Sequence, residues 1–111
     1  MRDLAALAYH YCAALPGGDR AKAVAYARAA AEHAGLLFAY EEAARYYRMA
    51  IEALEAASGF DQRDRLRLLI GEGEALTKAG AWREAAGILG QAAQSAKAAG
   101  LCPNRSARPN R

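Results

Sequence analysis

Two histidines, two cysteines and twelve acidic side chains are the groups of this 111-residue chain that could ligate a metal or move a proton. Their spacing argues against both. His10 and Cys12 are two positions apart, which on a helix turns them about 200° from one another, so one ion cannot take both. His33 stands beside Glu32 with no second ligand three or four positions away. Gly71-Glu72-Gly73 has neither a preceding strand nor a following Lys-Ser/Thr to cradle a phosphate, and close helix packing explains it better. Ser58, Thr77, Ser95 and Ser106 lack a histidine or lysine at a spacing that would activate a hydroxyl. Glu41-Glu42 and Glu52 with Glu55 read as solvated helix residues. The expectation is a non-enzymatic protein with no cofactor and no metal. Cys12 in a helical stretch and Cys102 in a Pro- and Asn-rich segment are expected to be free thiols.

The elements that position these residues follow from composition and punctuation. Of the residues, 54% are hydrophobic, but 31 are alanine, so the core must be built from few bulky groups. Val, Ile and Thr together number five, which leaves helix as the default. Pro16-Gly17-Gly18 closes the first segment, with Asp19 set to cap the second; Gly35 ends or loosens the second; Ser58-Gly59-Phe60 closes the third, and Asp61 opens the fourth. Gly80 separates the fourth from the fifth. Helices are predicted at about 2–15, 19–34, 39–57, 62–79 and 82–98, in one domain over 1–100 followed by a flexible tail at 101–111. Short connections force antiparallel neighbours, so the fold class is all-α, a stack of helical hairpins with about five helices.

The hairpins repeat. Adding 42 to Ala43, Tyr47, Ala50 and Leu54 gives Ala85, Leu89, Ala92 and Ala96, and the same shift carries Tyr40 onto Trp82 and Ala31 onto Gly73. The first helix fits as the second half of an earlier pair through Ala5, Tyr9 and Cys12. A small residue late in one helix, an aromatic at the turn, then small, large and small residues at Ala31, Tyr40, Ala43, Tyr47 and Ala50 resembles the tetratricopeptide repeat, whose usual period is about 34 residues. The run from Asp19 to Arg28, with Tyr40-Glu41-Glu42-Ala43 and Tyr47, also resembles the helical-repeat region of large bacterial ATP-dependent transcriptional regulators and of cyclase-linked ATPases. These resemblances imply a stacked helical scaffold that binds a protein or peptide partner and serves as the partner-sensing part of a bacterial regulatory protein.

The stack implied by the resemblance lines its concave face with the first helix of each pair, which presents Arg28 and Glu32 from one and Arg67, Ile70, Glu74, Thr77 and Lys78 from the other. Six tyrosines crowd the first half; Tyr47 reads as wedge-filling, and Tyr46 divides evenly between core and exposed contact. A net charge of +3 invites a nucleic-acid reading, but Arg105, Arg108 and Arg111 supply it from the tail, so a weak accessory role in binding nucleic acid is the minor alternative. No apolar run approaches a membrane span, and Met1-Arg2-Asp3-Leu4 does not resemble a secretory signal, which points to the cytoplasm. The fifth helix is apolar around most of its circumference, so either a further repeat covers it or Ile88, Leu89 and Ala92 pair with a second copy; a purely self-associating structural domain is the other alternative.

Overall fold

The computed structural model describes residues 4–15, 19–56 and 59–98. Five helices follow one another: α1 (Leu4–Ala13), α2 (Arg20–Leu36), α3 (Tyr40–Glu55), α4 (Gln62–Ala79) and α5 (Trp82–Ala98). Among the described residues there is no strand. Each helix packs on the next, and α1 also reaches α3. The fold is an all-α stack of helical hairpins, in which α2 and α4 flank α3.

Local chemistry sets most of the boundaries. Asp19 caps α2 by accepting from the Lys22 amide at 3.1 Å, and Asp61 caps α4 by accepting from the Arg63 amide at 2.8 Å. Glu41 and Glu42 place negative charge in the first turn of α3, where the helix dipole favours it. Gly35, expected to end or loosen α2, lies in its last turn, and the helix runs on to Leu36. The reversal falls three residues later, at Phe38, whose φ of 62° is in the left-handed region. There the Ala39 amide donates to the Ala34 carbonyl at 2.9 Å and the Phe38 amide to the Gly35 carbonyl at 3.1 Å, the paired bonds that satisfy the last carbonyls of a helix.

The same closure recurs 42 residues on. The Ala81 amide donates to the Leu76 carbonyl at 2.9 Å and the Gly80 amide to the Thr77 carbonyl at 3.1 Å, with Gly80 at φ 88°. Each atom pair of the first turn thus has its counterpart at the spacing read from the side chains. The two turns differ in the residue that occupies the left-handed position: glycine in one, phenylalanine in the other.

Ile51 and Leu69 are the largest fully buried side chains, set among Ala8, Ala27, Ala50 and Ala92. Alanine at these contacts lets the helix backbones approach, and glycine takes this further. A methyl group built at Gly71 would lie 2.6 Å from the Cε1 and Cζ atoms of Tyr47, and one at Gly73 would lie 2.4 Å from a Leu89 methyl. Gly71-Glu72-Gly73 is therefore a close-packing element. Between its glycines, Glu72 is buried and takes a two-pronged contact from Arg48 of α3, Nη2 to Oε1 at 2.7 Å and Nε to Oε2 at 3.2 Å. Arg65 of α4 ties the other end of the stack, contacting Glu55 at 2.6 Å and the Ser95 hydroxyl of α5.

Candidate functional site

The first and third helices of the series 2–3–4 leave a cleft of about 300 Å³ between them. Tyr40, Ala43 and Tyr47 of α3 form its floor. Ala31, Glu32, Gly35 and Leu36 form the α2 wall; Gly71, Glu74, Ala75 and Lys78 form the α4 wall. The floor exists because Gly71 has no side chain, so the Tyr47 ring can lie against the α4 backbone.

Charge in the cleft is mixed and ordered. Burial pushes the Tyr47 hydroxyl above its ordinary pKa; Glu32 and then Glu74 push it further, while Arg28 opposes them. Arg28 Nε sits 3.9 Å from Glu32 one turn along α2, with both side chains more than half exposed, so the contact is a weak one. Lys78 Nζ lies 5.6 Å from the centre of the Tyr40 ring, close enough for the ring face to attract the ammonium. The Tyr40 ring also meets Phe38 edge to face, with centres 6.1 Å apart.

Seven residues were expected on the concave face, and the structure distributes them. Glu32, Glu74 and Lys78 line the cleft directly. Arg28 stands close enough to act on Tyr47. Arg67 is exposed on α4 and lies 3.9 Å from Asp64 on the same helix. Ile70 is 39% exposed. Thr77 turns its hydroxyl back to the Gly73 carbonyl at 2.8 Å, and its own carbonyl accepts from the Trp82 indole at 3.2 Å, so its polar groups serve the end of α4.

The face of α5 expected to self-associate is also rearranged. Ala92 is buried in the chain's own core, and Ile88 packs against that core. Leu89 is 38% exposed with its methyls against Gly73. The small residues Ala86, Gly87, Gly90 and Ala93 are exposed on α5 together with Gln91, Gln94 and Lys97, and Trp82 is exposed at its start. Tyr46 is half-buried between both core clusters and meets Tyr9 edge to face at 6.0 Å, so it belongs to the packing.

Side chains that spacing alone did not single out include the cleft floor as a unit, the Arg48–Glu72 pair, and the exposed run Leu36, Leu37 and Phe38. The signal for the last was present, since a shift of 42 sets Phe38 on Gly80. Cys12 is a free thiol raised in pKa by burial and then by Glu52. Cys102 and the arginines at 105, 108 and 111 lie outside the described residues. Among the described residues, no group of three or more His, Cys, Asp or Glu could hold a metal ion, and no helix is long and apolar enough to cross a membrane. No family model matches the chain, and neither the curated proteins nor the solved structures contain a match to it.

Proposed function

We propose that the chain is a non-enzymatic protein-binding scaffold of the tetratricopeptide kind, and that a partner peptide or helix lies in the cleft between α2 and α4. The observation that carries this reading is the cleft itself: an aromatic floor of Tyr40 and Tyr47 between walls that present Glu32, Glu74 and Lys78. An aromatic floor supplies apolar contact, and charges of both signs on the walls fix the direction of a bound segment. The repeated turn supports the same reading, because a scaffold built from equivalent hairpins forms a cleft wherever a first helix faces the next first helix. In this reading the module is the partner-sensing part of a bacterial regulatory protein, with Arg28 adding a charge contact at one end of the cleft and Arg67, Ile70 and Thr77 standing beyond its lining.

The test is a pull-down with the parent protein and with a Glu32→Ala, Glu74→Ala, Lys78→Ala variant. All three side chains border the cleft and none is in the buried core, so the variant is expected to fold. Loss of specific partners from the variant is the expected result; retention of every partner of the parent would overturn the proposal.

A further inference from the structure

The end of the stack at which α2 turns into α3 and α4 turns into α5 is apolar and open. Leu36 is 78% exposed, Leu37 64%, Phe38 76% and Trp82 71%, and together they stand out among the exposed large hydrophobic side chains of the described residues. They occupy one end because α2 and α4 run in the same direction: residues 38–42 and Ala79 line one cleft, and Lys78 reaches the Tyr40 ring at 5.6 Å.

A cost is attached to this arrangement. Phe38 holds the left-handed conformation that the equivalent turn assigns to Gly80. A bulky side chain is disfavoured there, and Phe38 recovers little by burial within its own chain. Strain combined with exposure at an aromatic residue is a mark of a surface whose contacts are completed from outside.

We propose that the turn end bearing Leu36, Leu37, Phe38 and Trp82 is a self-association surface, which docks on the same surface of a second copy of this chain across a two-fold axis.

Three features select a second copy. The first is area. Two aromatic and two leucine side chains, each mostly open, present on the order of 500 Å² of apolar surface, which is at the upper end for a patch on a monomer. Two such patches face to face reach on the order of 1,000 Å², about the least that a specific interface buries. The second is charge. Glu41, Glu42 and Glu84 are exposed beside the apolar side chains, and so are Lys78 and Arg83. A rim with both signs can oppose its own two-fold image with acid against base, whereas an anionic membrane or a nucleic acid would meet the carboxylates. The third is shape. Behind the Phe38 ridge lies a cleft of about 410 Å³, lined by Phe38, Ala39, Tyr40, Glu41, Glu42 and Ala79, so the same end offers both a projecting side chain and a recess to receive one. This surface shares Leu36, Tyr40 and Lys78 with the partner cleft and otherwise lies outside it, and the inference does not depend on what that cleft holds.

Sedimentation equilibrium of the full chain across the micromolar range tests the proposal, with a Leu37→Glu, Phe38→Gly double variant and an Ala93→Glu control on the outer face of α5. The parent is expected to dimerise with concentration. The double variant is expected to raise the dissociation constant by at least about 10-fold with no loss of helicity, because glycine relieves the strained position while it removes the ridge. The Ala93→Glu protein is expected to dimerise like the parent. A parent that stays monomeric throughout the range overturns the proposal. So does a dimer that survives the double variant, or one that the control dissociates while the double variant does not. Cosedimentation of a monomeric parent with phosphatidylcholine vesicles would also overturn it, in favour of a lipid-facing ridge.

Discussion

The Tyr47 ring rests on the bare backbone of Gly71, so close that a single methyl group at that position would meet two ring atoms at 2.6 Å. Helix packing and the cleft floor are therefore one contact. A larger residue at 71 would disturb α3–α4 packing and lift the floor together.

Glycine-to-alanine changes separate this contact from ordinary helix propensity. At Gly87 and Gly90 a Cβ would meet no atom within 4 Å, so Gly87→Ala and Gly90→Ala are each expected to stabilise the fold by up to about 1 kcal/mol. Gly71→Ala gains the same propensity but forces the Tyr47 ring to move, and is expected to be net destabilising by about 1 kcal/mol. Urea unfolding of the three variants checks the difference in sign.

Phe38→Gly is expected to stabilise the monomer by about 1 kcal/mol, because it places at 38 the residue that holds the same backbone conformation at 80. Thermal unfolding at a concentration low enough to keep the chain monomeric measures this. A fall in the midpoint would show that the ring contact between Phe38 and Tyr40 outweighs the strain.

Arg48 is the partner that makes a buried Glu72 tolerable. Arg48→Met is expected to cost about 2 kcal/mol, below the usual penalty for a fully buried pair because the Arg48 side chain is one-third open to solvent. Combining Arg48→Met with Glu72→Met is expected to restore most of the loss, since no unpaired charge then remains inside. Chemical denaturation of the two singles and the double gives the coupling directly.

Tyr47 also predicts a pH response. Its folded pKa lies above the ordinary value near 10, so between the unfolded and folded values the unfolded chain binds fewer protons than the native one. Stability from this group is fully present below about pH 10 and falls as the pH rises through the folded value. Tyr47→Phe is expected to flatten the alkaline decline. Unfolding curves from neutral to strongly alkaline pH, compared between parent and variant, measure the change in slope.

The fold was legible where chemistry is local. Asp19, Asp61 and Gly80 mark helix ends because a carboxylate beside free amides and a residue without a Cβ each satisfy a need within one turn of chain. The 42-residue shift was legible because side-chain size repeats along the helices that pack, and the turn bonds obey it. Gly35 marked the neighbourhood of the α2 end but not the reversal itself, because the left-handed residue is Phe38, which propensity disfavours there. The cleft was only partly legible. The resemblance placed Glu32, Glu74 and Lys78 on a common concave side, but whether Arg67, Ile70 or Thr77 joined them depended on how the helices sit against one another, which no local pattern encodes. Ala92 lies in the core for a related reason, because small residues read alike whether they face a neighbour or solvent.

The two ends of the stack add different forces to the apolar core they share. Tyr9 meets Tyr46, and Tyr11 stacks on Tyr26 with ring centres 5.2 Å apart, so rings fasten α1 to its neighbours. Arg48 with Glu72, and Arg65 with Glu55, fasten α4 to α3 by charge. Ionic strength acts on these in opposite senses: it screens the charged contacts and, with strongly hydrated salts such as sulfate, deepens the apolar ones. The order in which the ends fray is thus adjustable by solvent, with α1, whose one fully buried residue is Ala8, loosening first in dilute buffer and the C-terminal hairpin losing its lead as sulfate rises.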